Sequence, residues 1–294
     1  MAFVPAFVPP AGASVRALLR AAHLYLKSRD IVHPDWHAEL IVGGILGMKR
    51  HELYLDTERS VAAGELSTIR AALTRRAGGE PTQYILGTTE FYGLPFRCDR
   101  RALIPRPETE HLVDLALARL KAAPPSPRVV DLGTGSGCIA VALTANTPAL
   151  LVTAADIDSD ALALARENAE LNGVAERISF VVSDLFTALE GPFDLVVANL
   201  PYVSPAQRPH VAREVRDFEP PGALFAEENG LSILRRVVRE APLHLAAGGS
   251  LLLEIGFDQA EAVSEICRLT AAIGDIRLHP DYQGHLRVLA AVKM

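Results

Sequence analysis

The sequence predicts an α/β protein with a mostly parallel sheet and a C-terminal antiparallel hairpin, preceded by a small helical bundle. Three observations lead to this fold class. Residues 14–79 carry apolar side chains at helical spacing. After Arg128, short apolar runs alternate with helical runs, which is typical of crossover units in a parallel sheet. Residues 274–293 contain two strand-like runs separated by a short turn, which predicts the hairpin.

The composition is that of an ordinary globular protein: 294 residues, 49% hydrophobic and 22% charged, with a net charge of −6. An acidic chain is a poor partner for bare nucleic acid, which favours a basic face. The three cysteines form no CxxC pair, so we expect neither a zinc site nor disulfides, and a cytoplasmic location. Residues 1–13 are apolar and proline-rich without a basic residue, which predicts a loose tail, not a signal peptide or membrane span.

Residues 14–79 predict a helical domain. The stretch SVRALLRAAHLYLKSRD begins with Ser14 as a helix cap, and HPDWHAELIVGGILGM and SVAAGELSTIRAALTRRAGG have similar helical spacing. His33 and His37 share one helix face, which is a metal-ligand spacing. Pro34 and the missing third ligand favour a helix start instead, so we expect no metal.

Residues 80–106 alternate aromatics, glycines and prolines, which predicts a hairpin connector. A domain of residues 107–294 follows. Its first helix has Pro107 at the first position, with Glu108 and Glu110 at the end where the helix dipole favours acids. Its buried strands are predicted in RVVDLG, LLVTAADID, ISFVVSD, FDLVVAN and SLLLEIG.

A glycine-rich loop follows the first of these strands. In VVDLGTGSGCIA, Gly133, Gly135 and Gly137 stand between a strand and a helix, where they let the backbone approach a ligand closely. A dinucleotide fingerprint needs a further glycine at position 138, where this chain has Cys138. Asp131 would repel a pyrophosphate, whereas it suits a ligand with a positive charge.

Two more acids follow predicted strands. Asp156 ends the second strand, at a position where an acid typically accepts hydrogen bonds from ribose hydroxyls. Asp184 ends the third strand, where it can meet an adenine amino group, with Leu185 and Phe186 as apolar packing. The nearby Asp158 and Asp160 are assigned to helix capping. A ribose, an adenine and a cationic tail are the parts of S-adenosyl-L-methionine, which is the predicted methyl donor.

The stretch FDLVVANLPYVSP ends a predicted strand with an amide, two backbone carbonyls and an aromatic ring. In open α/β sheets, ligands bind at that edge. The side-chain oxygen of Asn199 and the carbonyl of Leu200 can each accept one N–H of a planar NH₂ group. This arrangement would hold a weakly nucleophilic nitrogen in line with a methyl donor, while Tyr202 packs on the planar substrate. Catalysis would then depend on orientation and electrostatic complementarity.

The chain resembles the release-factor glutamine methyltransferase family (the PrmC/HemK type) from about Ser14 to the C-terminus. The resemblance is carried by PTQYILG, FYGLPF, LIPRPETE, DLGTGSG, DID, SDLF, LLLEIG and DYQGHLRV. The most specific motif is IPRPETE at 104–110, since DLGTGSG and LLLEIG occur in many methyltransferases. One position departs from the family's usual Asn-Pro-Pro-Tyr, because Leu200 replaces the first proline. The chemistry tolerates this change, since the working atom there is a backbone carbonyl.

The resemblance implies a Rossmann-like class I S-adenosylmethionine-dependent methyltransferase sheet. It also implies N5-methylation of the glutamine in the Gly-Gly-Gln motif of class I peptide chain release factors. Residues 14–79 would then be the substrate-docking domain and 107–294 the methyltransferase domain. Catalysis is expected at Asn199 and Tyr202, and the substrate is expected to contact Asn199, Leu200, Pro201 and Tyr202. The donor is expected to contact Asp131, Gly133, Thr134, Gly135, Ser136, Gly137, Asp156, Asp184, Leu185 and Asn199.

Three other functions remain open at the level of sequence. A glutamine methyltransferase of a ribosomal protein is one, although its usual motif is less like PRPETE. An rRNA adenine N6-methyltransferase often has Leu or Ile at the position of Leu200, but the acidic charge and the lack of a basic arm argue against it. A binding module with a relic donor pocket is the third, and the intact Asn199 and Tyr202 argue against that. Neither a membrane nor a direct nucleic-acid partner is expected.

Overall fold

The computed structural model describes residues 5–10, 12–123 and 125–294. The chain forms two compact units. We call Met1–Gly87 with Ala212–Phe218 the helical unit, and Thr88–Val211 with Glu219–Met294 the sheet unit. The sequence pattern contains no signal that residues 212–218 belong to the helical unit, since they lie far along the chain from its other helices.

The helical unit contains six helices in its described part. They are α1 (Val15–Lys27), α2 (Pro34–Leu46), α3 (Arg50–Leu55), α4 (Ala63–Ala77), α5 (Thr82–Leu86) and α9 (Arg213–Phe218). The Ser14 side chain accepts the amide N–H of Ala17, which confirms the predicted cap of α1. The helices α3 and α5 were not predicted, because five or six residues are too few to show helical periodicity. The unit has its own core, including Leu18, Ile41 and Leu73.

The described part of the N-terminal segment packs onto this core, so the prediction of a loose tail is wrong there. Phe7 is only 2% exposed, and its amide N–H donates to the Thr74 hydroxyl at 3.2 Å. The Tyr25 hydroxyl donates to the carbonyl of Pro5 at 2.8 Å. A single aromatic side chain buries a large apolar area without producing any periodic pattern, which is why the sequence did not indicate this contact. Residues 1–4 and 11 of the predicted tail lie outside the described residues.

His37 is buried in the helical unit as a hydrogen-bonded side chain. Its Nδ1 lies 2.7 Å from the Thr82 hydroxyl, and its Nε2 lies 3.1 Å from a guanidinium nitrogen of Arg76. Burial lowers the pKa of His37 to about 3, so the ring is neutral at physiological pH. Arg76 also pairs with Glu214, which ties the segment 212–218 into this unit. Within the described ranges, no group of three or more His, Cys, Asp or Glu side chains is arranged to hold a metal ion.

The remaining helices and strands form the sheet unit. Its strands are β1 (Thr88–Phe91), β2 (Leu94–Arg97), β3 (Arg128–Leu132), β4 (Leu151–Asp156), β5 (Ile178–Val182), β6 (Phe193–Ala198), β7 (Leu245–Glu254), β8 (Ile273–Pro280) and β9 (Leu286–Lys293). Its helices are α6 (Pro107–Leu120), α7 (Cys138–Asn146), α8 (Ser159–Leu171), α10 (Glu227–Gly230), α11 (Ser232–His244) and α12 (Ala260–Arg268). None of the helices among the described residues is long and apolar enough to cross a bilayer.

The seven-stranded sheet has the order β5-β4-β3-β6-β7-β9-β8. The first five strands are parallel, and β9 is antiparallel to both β7 and β8, so the predicted α/β class and C-terminal hairpin are confirmed. Strands β1 and β2 form a separate antiparallel hairpin. Successive residues of a central strand enter different cores, as Val129 packs in one cluster and Val130 in another. Helices therefore cover both faces, which explains the nearly continuous apolar runs.

Candidate active site

The candidate site lies at the point where the strand order reverses. From β3 the chain continues to β4 and β5 on one side, and it returns to β6 on the other. Leu132 pairs with Ala198, so the chain leaves the two strands at neighbouring positions with Gly133 and Asn199. Such a switch point at the carboxyl ends of parallel strands is where open α/β sheets bind ligands.

A cavity of about 480 Å³ opens there, within the size range of small-molecule sites. Of the residues predicted to bind donor or substrate, eight line it: Gly133, Gly135, Asp156, Asp184, Leu185, Asn199, Leu200 and Pro201. Five others do not: Asp131, Thr134, Ser136, Gly137 and Tyr202. The cavity has twelve further lining residues that were not predicted as ligands: Arg101, Ala102, Leu103, Ile157, Asp158, Ala161, Ser183, Pro220, Gly222, Ala223, Ile233 and Arg236.

The loop glycines have different reasons for being glycine. Gly133 has φ +66°, and a Cβ there would lie 2.6 Å from Cδ2 of Leu200, so it allows the chain after β6 to approach. Gly137 has φ +79°, and its Cβ would lie 2.9 Å from the Cβ of Ala165, so it allows α7 to pack against α8. Gly135 lines the cavity itself with φ +54°. Only Gly133 and Gly135 are therefore placed to face a ligand.

Asp131 is fully buried beneath the loop rather than directed into the cavity. Its Oδ2 accepts the Thr134 hydroxyl at 2.6 Å and the amide N–H of Ala140 at 3.2 Å. Its Oδ1 has no hydrogen-bond partner among the described residues. Burial raises the pKa of this carboxyl to about 7. Asp131 thus joins the loop to the first turn of α7, and the predicted direct contact with a cationic ligand does not follow from its position.

This buried acid predicts a pH-dependent contribution to stability. Because the pKa of Asp131 is higher in the folded chain than the ordinary value of about 4, its contribution is complete below about pH 4 and is lost as the pH rises through 7. We expect the free energy of unfolding of the wild type, relative to Asp131→Asn, to fall by about 1 kcal/mol per pH unit on average between pH 5.5 and 7. Urea titrations across this range measure it. A difference that is independent of pH would contradict the assignment.

Asp156 and Asp184, the two acids predicted to contact the donor, both line the cavity. Asp156 accepts the amide N–H of Gly135 at 2.8 Å and that of Asp158 at 3.0 Å. Burial is the largest cause of the raised pKa of Asp156. Asp158 in turn caps α8, as predicted, whereas Asp160 lies inside the first turn and is not the cap. Asp184 pairs with Arg236 through both carboxylate oxygens at 3.1 Å, a partner that the sequence did not indicate.

The apolar packing predicted beside Asp184 is only half correct. Leu185 lines the cavity. Phe186 does not, because it is buried in the core, where its ring stacks on His244 at 4.5 Å. Successive side chains point in different directions at this turn, and the sequence alone did not distinguish them.

Asn199 is held by a chain of hydrogen bonds. Its Nδ2 donates to the Thr109 hydroxyl at 2.9 Å, and Thr109 donates to Oε2 of Glu254 at 2.7 Å. The Tyr202 hydroxyl donates to Oε1 of the same carboxylate at 3.3 Å. Gly230 must be glycine because a Cβ would lie 2.0 Å from the carbonyl oxygen of Tyr202. Asn199 lines the cavity, whereas the half-buried Tyr202 does not line it and donates to the carboxylate that also accepts from Thr109.

The structure also explains the motif IPRPETE. The amide N–H of Ile104 and the guanidinium of Arg106 both donate to the buried Glu219, at 3.1 and 2.6 Å. Thr109 lies in the first turn of α6 and contacts Asn199. Pro107, Glu108 and Glu110 lie in the first turn of α6 as predicted, whereas the sequence indicated no role for Ile104, Arg106 or Thr109. The acid Glu254, at the end of an apolar strand, was a signal that could have been used, whereas nothing around Glu219 indicated its role.

The cavity fits S-adenosyl-L-methionine on the chemistry of its walls. Asp156 supplies carboxylate oxygens at the end of β4 for ribose hydroxyls. Leu185 and Ile157 supply apolar surface for a planar base, and Asp184 a polar group beside it. A mostly apolar wall with a few placed polar groups is the usual composition of a small-molecule site.

Together, the sheet order, the glycine loop after β3 and the strand-end acids define a class I S-adenosylmethionine-dependent methyltransferase. The family model described as the methyltransferase small domain matches residues 112–216, and the PrmC N-terminal domain model matches residues 17–87. The chain is 42% identical to the release factor glutamine methyltransferase of Chlorobaculum tepidum, over 92% of this chain and 94% of that protein. With the enzyme of that name from Cereibacter sphaeroides it shares 43% identity, over 93% and 96% of the two chains. The chain belongs to the release factor glutamine methyltransferase family.

Among solved structures, the hMettl16 catalytic domain in complex with MAT2A 3′UTR hairpin 6 has a similar fold. The TM-score is 0.55 at 18% identity, covering 80% of this chain and 84% of that chain. At such an identity the likeness concerns the fold alone.

Proposed function

We propose that this chain transfers a methyl group from S-adenosyl-L-methionine to the N5 atom of the glutamine in the Gly-Gly-Gln motif of class I peptide chain release factors. One observation carries the chemistry: Asn199 lines the cavity while its own N–H is engaged by Thr109. Its Oδ1 is thereby left to accept a hydrogen bond from a substrate NH₂ group. Family membership supports the release factor as the substrate.

The mechanism follows from what these residues can accept. A glutamine side-chain nitrogen is a weak nucleophile because its lone pair is delocalised into the carbonyl. Asn199 Oδ1 accepts one of its N–H groups, and the carbonyl oxygen of Leu200 accepts the other. The donor, when bound, supplies an electrophilic methyl group on a sulfonium centre. Holding the nitrogen by both protons fixes its orientation, and such positioning can lower the activation barrier by several kcal/mol. As the N–C bond forms, the bond between the methyl carbon and the sulfonium sulfur would break with its electron pair on sulfur, and one of the two nitrogen protons would be released to solvent water.

The alternatives are less well supported. An rRNA adenine substrate would be expected to meet a basic surface, whereas the net charge of this chain is −6. A ribosomal-protein glutamine would suit the same Asn199 chemistry, so the site geometry does not separate it from a release factor. Relatives named release factor glutamine methyltransferase, at 41–43% identity over 92–93% of this chain, favour the release factor.

The helical unit is the proposed docking element for the release factor. A glutamine flanked by two glycines offers little side chain for selection, so specificity must come from contacts remote from the reacting atom. The unit has exposed apolar side chains suited to such contacts, among them Trp36 (42% exposed) and Leu55 (81%). Aromatic anchors of this type dominate many interfaces.

The experiment is methylation of intact release factor and of a Gly-Gly-Gln peptide with labelled donor, followed by mass mapping of the modified residue. We expect label on that glutamine, far more efficiently in the intact factor. The double variant Trp36→Ala/Leu55→Ala should raise KM for the intact factor without changing peptide methylation. The matched control is Leu243→Ala, an equally exposed leucine (81%) on the sheet unit. Label on another protein of a cell extract, with none on the release factor, would contradict the substrate assignment.

A further inference from the structure

The sheet unit contains a buried threonine and a buried glutamate that do not line the cavity. The threonine contacts Asn199, and the glutamate contacts the threonine. Thr109 and Glu254 are each 1% exposed, and neither lines the cavity. They stand 145 residues apart in the sequence, in the first turn of α6 and at the end of β7, with 2.7 Å between hydroxyl and carboxylate. The Asn199 amide lies 2.9 Å from the same hydroxyl.

The direction of each proton follows from chemistry. An ionised carboxylate has no proton to donate, so the single hydroxyl proton of Thr109 goes to Glu254. The hydroxyl oxygen can then only accept from Asn199, and the atom that donates to it must be the amide nitrogen. The Oδ1 of Asn199 consequently points the other way, and no residue in the described part of the chain donates to it.

We propose that Thr109 and Glu254 are positioning residues that hold the Asn199 amide in the orientation that accepts an N–H from the substrate. An asparagine side chain can rotate to exchange its oxygen and nitrogen at little steric cost. With the nitrogen facing the cavity, two NH₂ groups would oppose each other and the substrate could not bind productively. The inference rests on the proposed function of the site.

The burial of an acid at this position supports a specific role. A carboxylate taken out of water is costly unless it is hydrogen-bonded. Burial raises the pKa of Glu254 to about 7, while the hydrogen bond from Thr109 and the nearby charge of Arg287 act in the opposite direction. An apolar residue would end β7 with less cost. The second carboxylate oxygen accepts from Tyr202, so one group holds both side chains of the motif in place.

The first test compares Thr109→Val, Thr109→Ser and Thr144→Val at pH 8, where the glutamate is ionised. Valine has the shape of threonine without the hydroxyl, and serine restores the hydroxyl. We expect Thr109→Val to lower kcat by about 10- to 100-fold, the size of effect seen when groups that orient the side-chain ligands of a metal are removed, with an unchanged donor Kd. Thr109→Ser should retain most of the wild-type kcat, because its hydroxyl can make the same hydrogen bonds. Thr144 is an equally buried threonine whose hydroxyl bonds within α7, so its valine variant should match the wild type.

The second test separates orientation from simple packing through Glu254. In Glu254→Leu, the Thr109 proton loses its acceptor and turns to Oδ1 of Asn199, which reverses the amide, so kcat should fall as in Thr109→Val. In Glu254→Gln, the side-chain oxygen still accepts from Thr109, so most activity should remain. NMR hydrogen exchange should show the Asn199 side-chain N–H protected in the wild type and in Thr109→Ser, and unprotected in Thr109→Val.

Wild-type turnover on release factor is measured first, so failure of the proposed function is seen separately. With an active wild type, full kcat in Thr109→Val would overturn the positioning role. So would a Thr109→Ser variant no better than Thr109→Val, or unchanged exchange of the Asn199 amide.

Discussion

Replacing Asn199 with alanine is expected to lower kcat for methyl transfer by two to three orders of magnitude, while the affinity for the methyl donor stays close to that of the wild type. The side chain supplies the oxygen that orients the acceptor nitrogen. Removing one such preorganised group typically costs about 10²- to 10³-fold in kcat. The donor pocket keeps its carboxylates and its glycine loop, so binding should persist.

Single-turnover methylation of release factor and calorimetric titration of the donor together measure this variant. Leu200→Pro keeps the backbone carbonyl and should lose far less activity. Asn146→Ala is the matched control. The Asn146 amide lies at the C-terminal end of α7 and donates to the carbonyl of Ala142 in the same helix. If Asn199→Ala retained most of its turnover, orientation by this amide could not be the mechanism.

Gly135→Val should weaken donor binding by tenfold or more. Gly135 lines the cavity at φ +54°, a backbone conformation in which a β-branched residue is strained. The valine methyls would also project from the loop beside the space that the donor is expected to fill. Its amide N–H is held by Asp156, so the strain would also disturb the predicted ribose ligand.

The control for strain alone is Gly173→Val. Gly173 has a similar φ of +67°, and a Cβ there meets no atom within 4 Å. Both variants should lose comparable thermal stability, because a left-handed non-glycine residue costs about 1–2 kcal/mol. Only Gly135→Val should lose donor affinity in calorimetry. Equal affinities in the two variants would show that the donor does not bind at this loop.

Much of the sheet and of the loop was predictable from local pattern. The strands β3 to β7 are nearly continuous apolar runs because both faces of the sheet are covered, and crossover units admit few topologies. The carboxyl ends of parallel strands share one edge of the sheet. The glycines after β3, the acids after the next two strands and Asn199 after β6 were therefore expected to lie close together at that edge. The residues Asn199 to Tyr202 were sufficient to predict that the site binds a planar NH₂ group.

Side-chain direction and long-range contact could not be read in this way. Asp131 looked like a ligand for a cation, but residues alternate across a strand, and it points under α7 instead of into the cavity. Phe186 followed the right strand and still turned into the core. Phe7 had no periodic neighbours to indicate its burial, and α3 and α5 were too short to show a period.

The sequence by itself determined the fold class, the succession of strands and helices along the chain and the residues that meet at the carboxyl ends of the strands, because these depend on apolar periodicity and on turn chemistry within a few residues. Only the tertiary structure decided that Thr109 and Glu254 hold Asn199, and that residues 212–218 join the helical unit. Such pairings arise from the packing of distant segments, where a hydrogen bond of 2.7 Å depends on the placement of a whole helix against a strand.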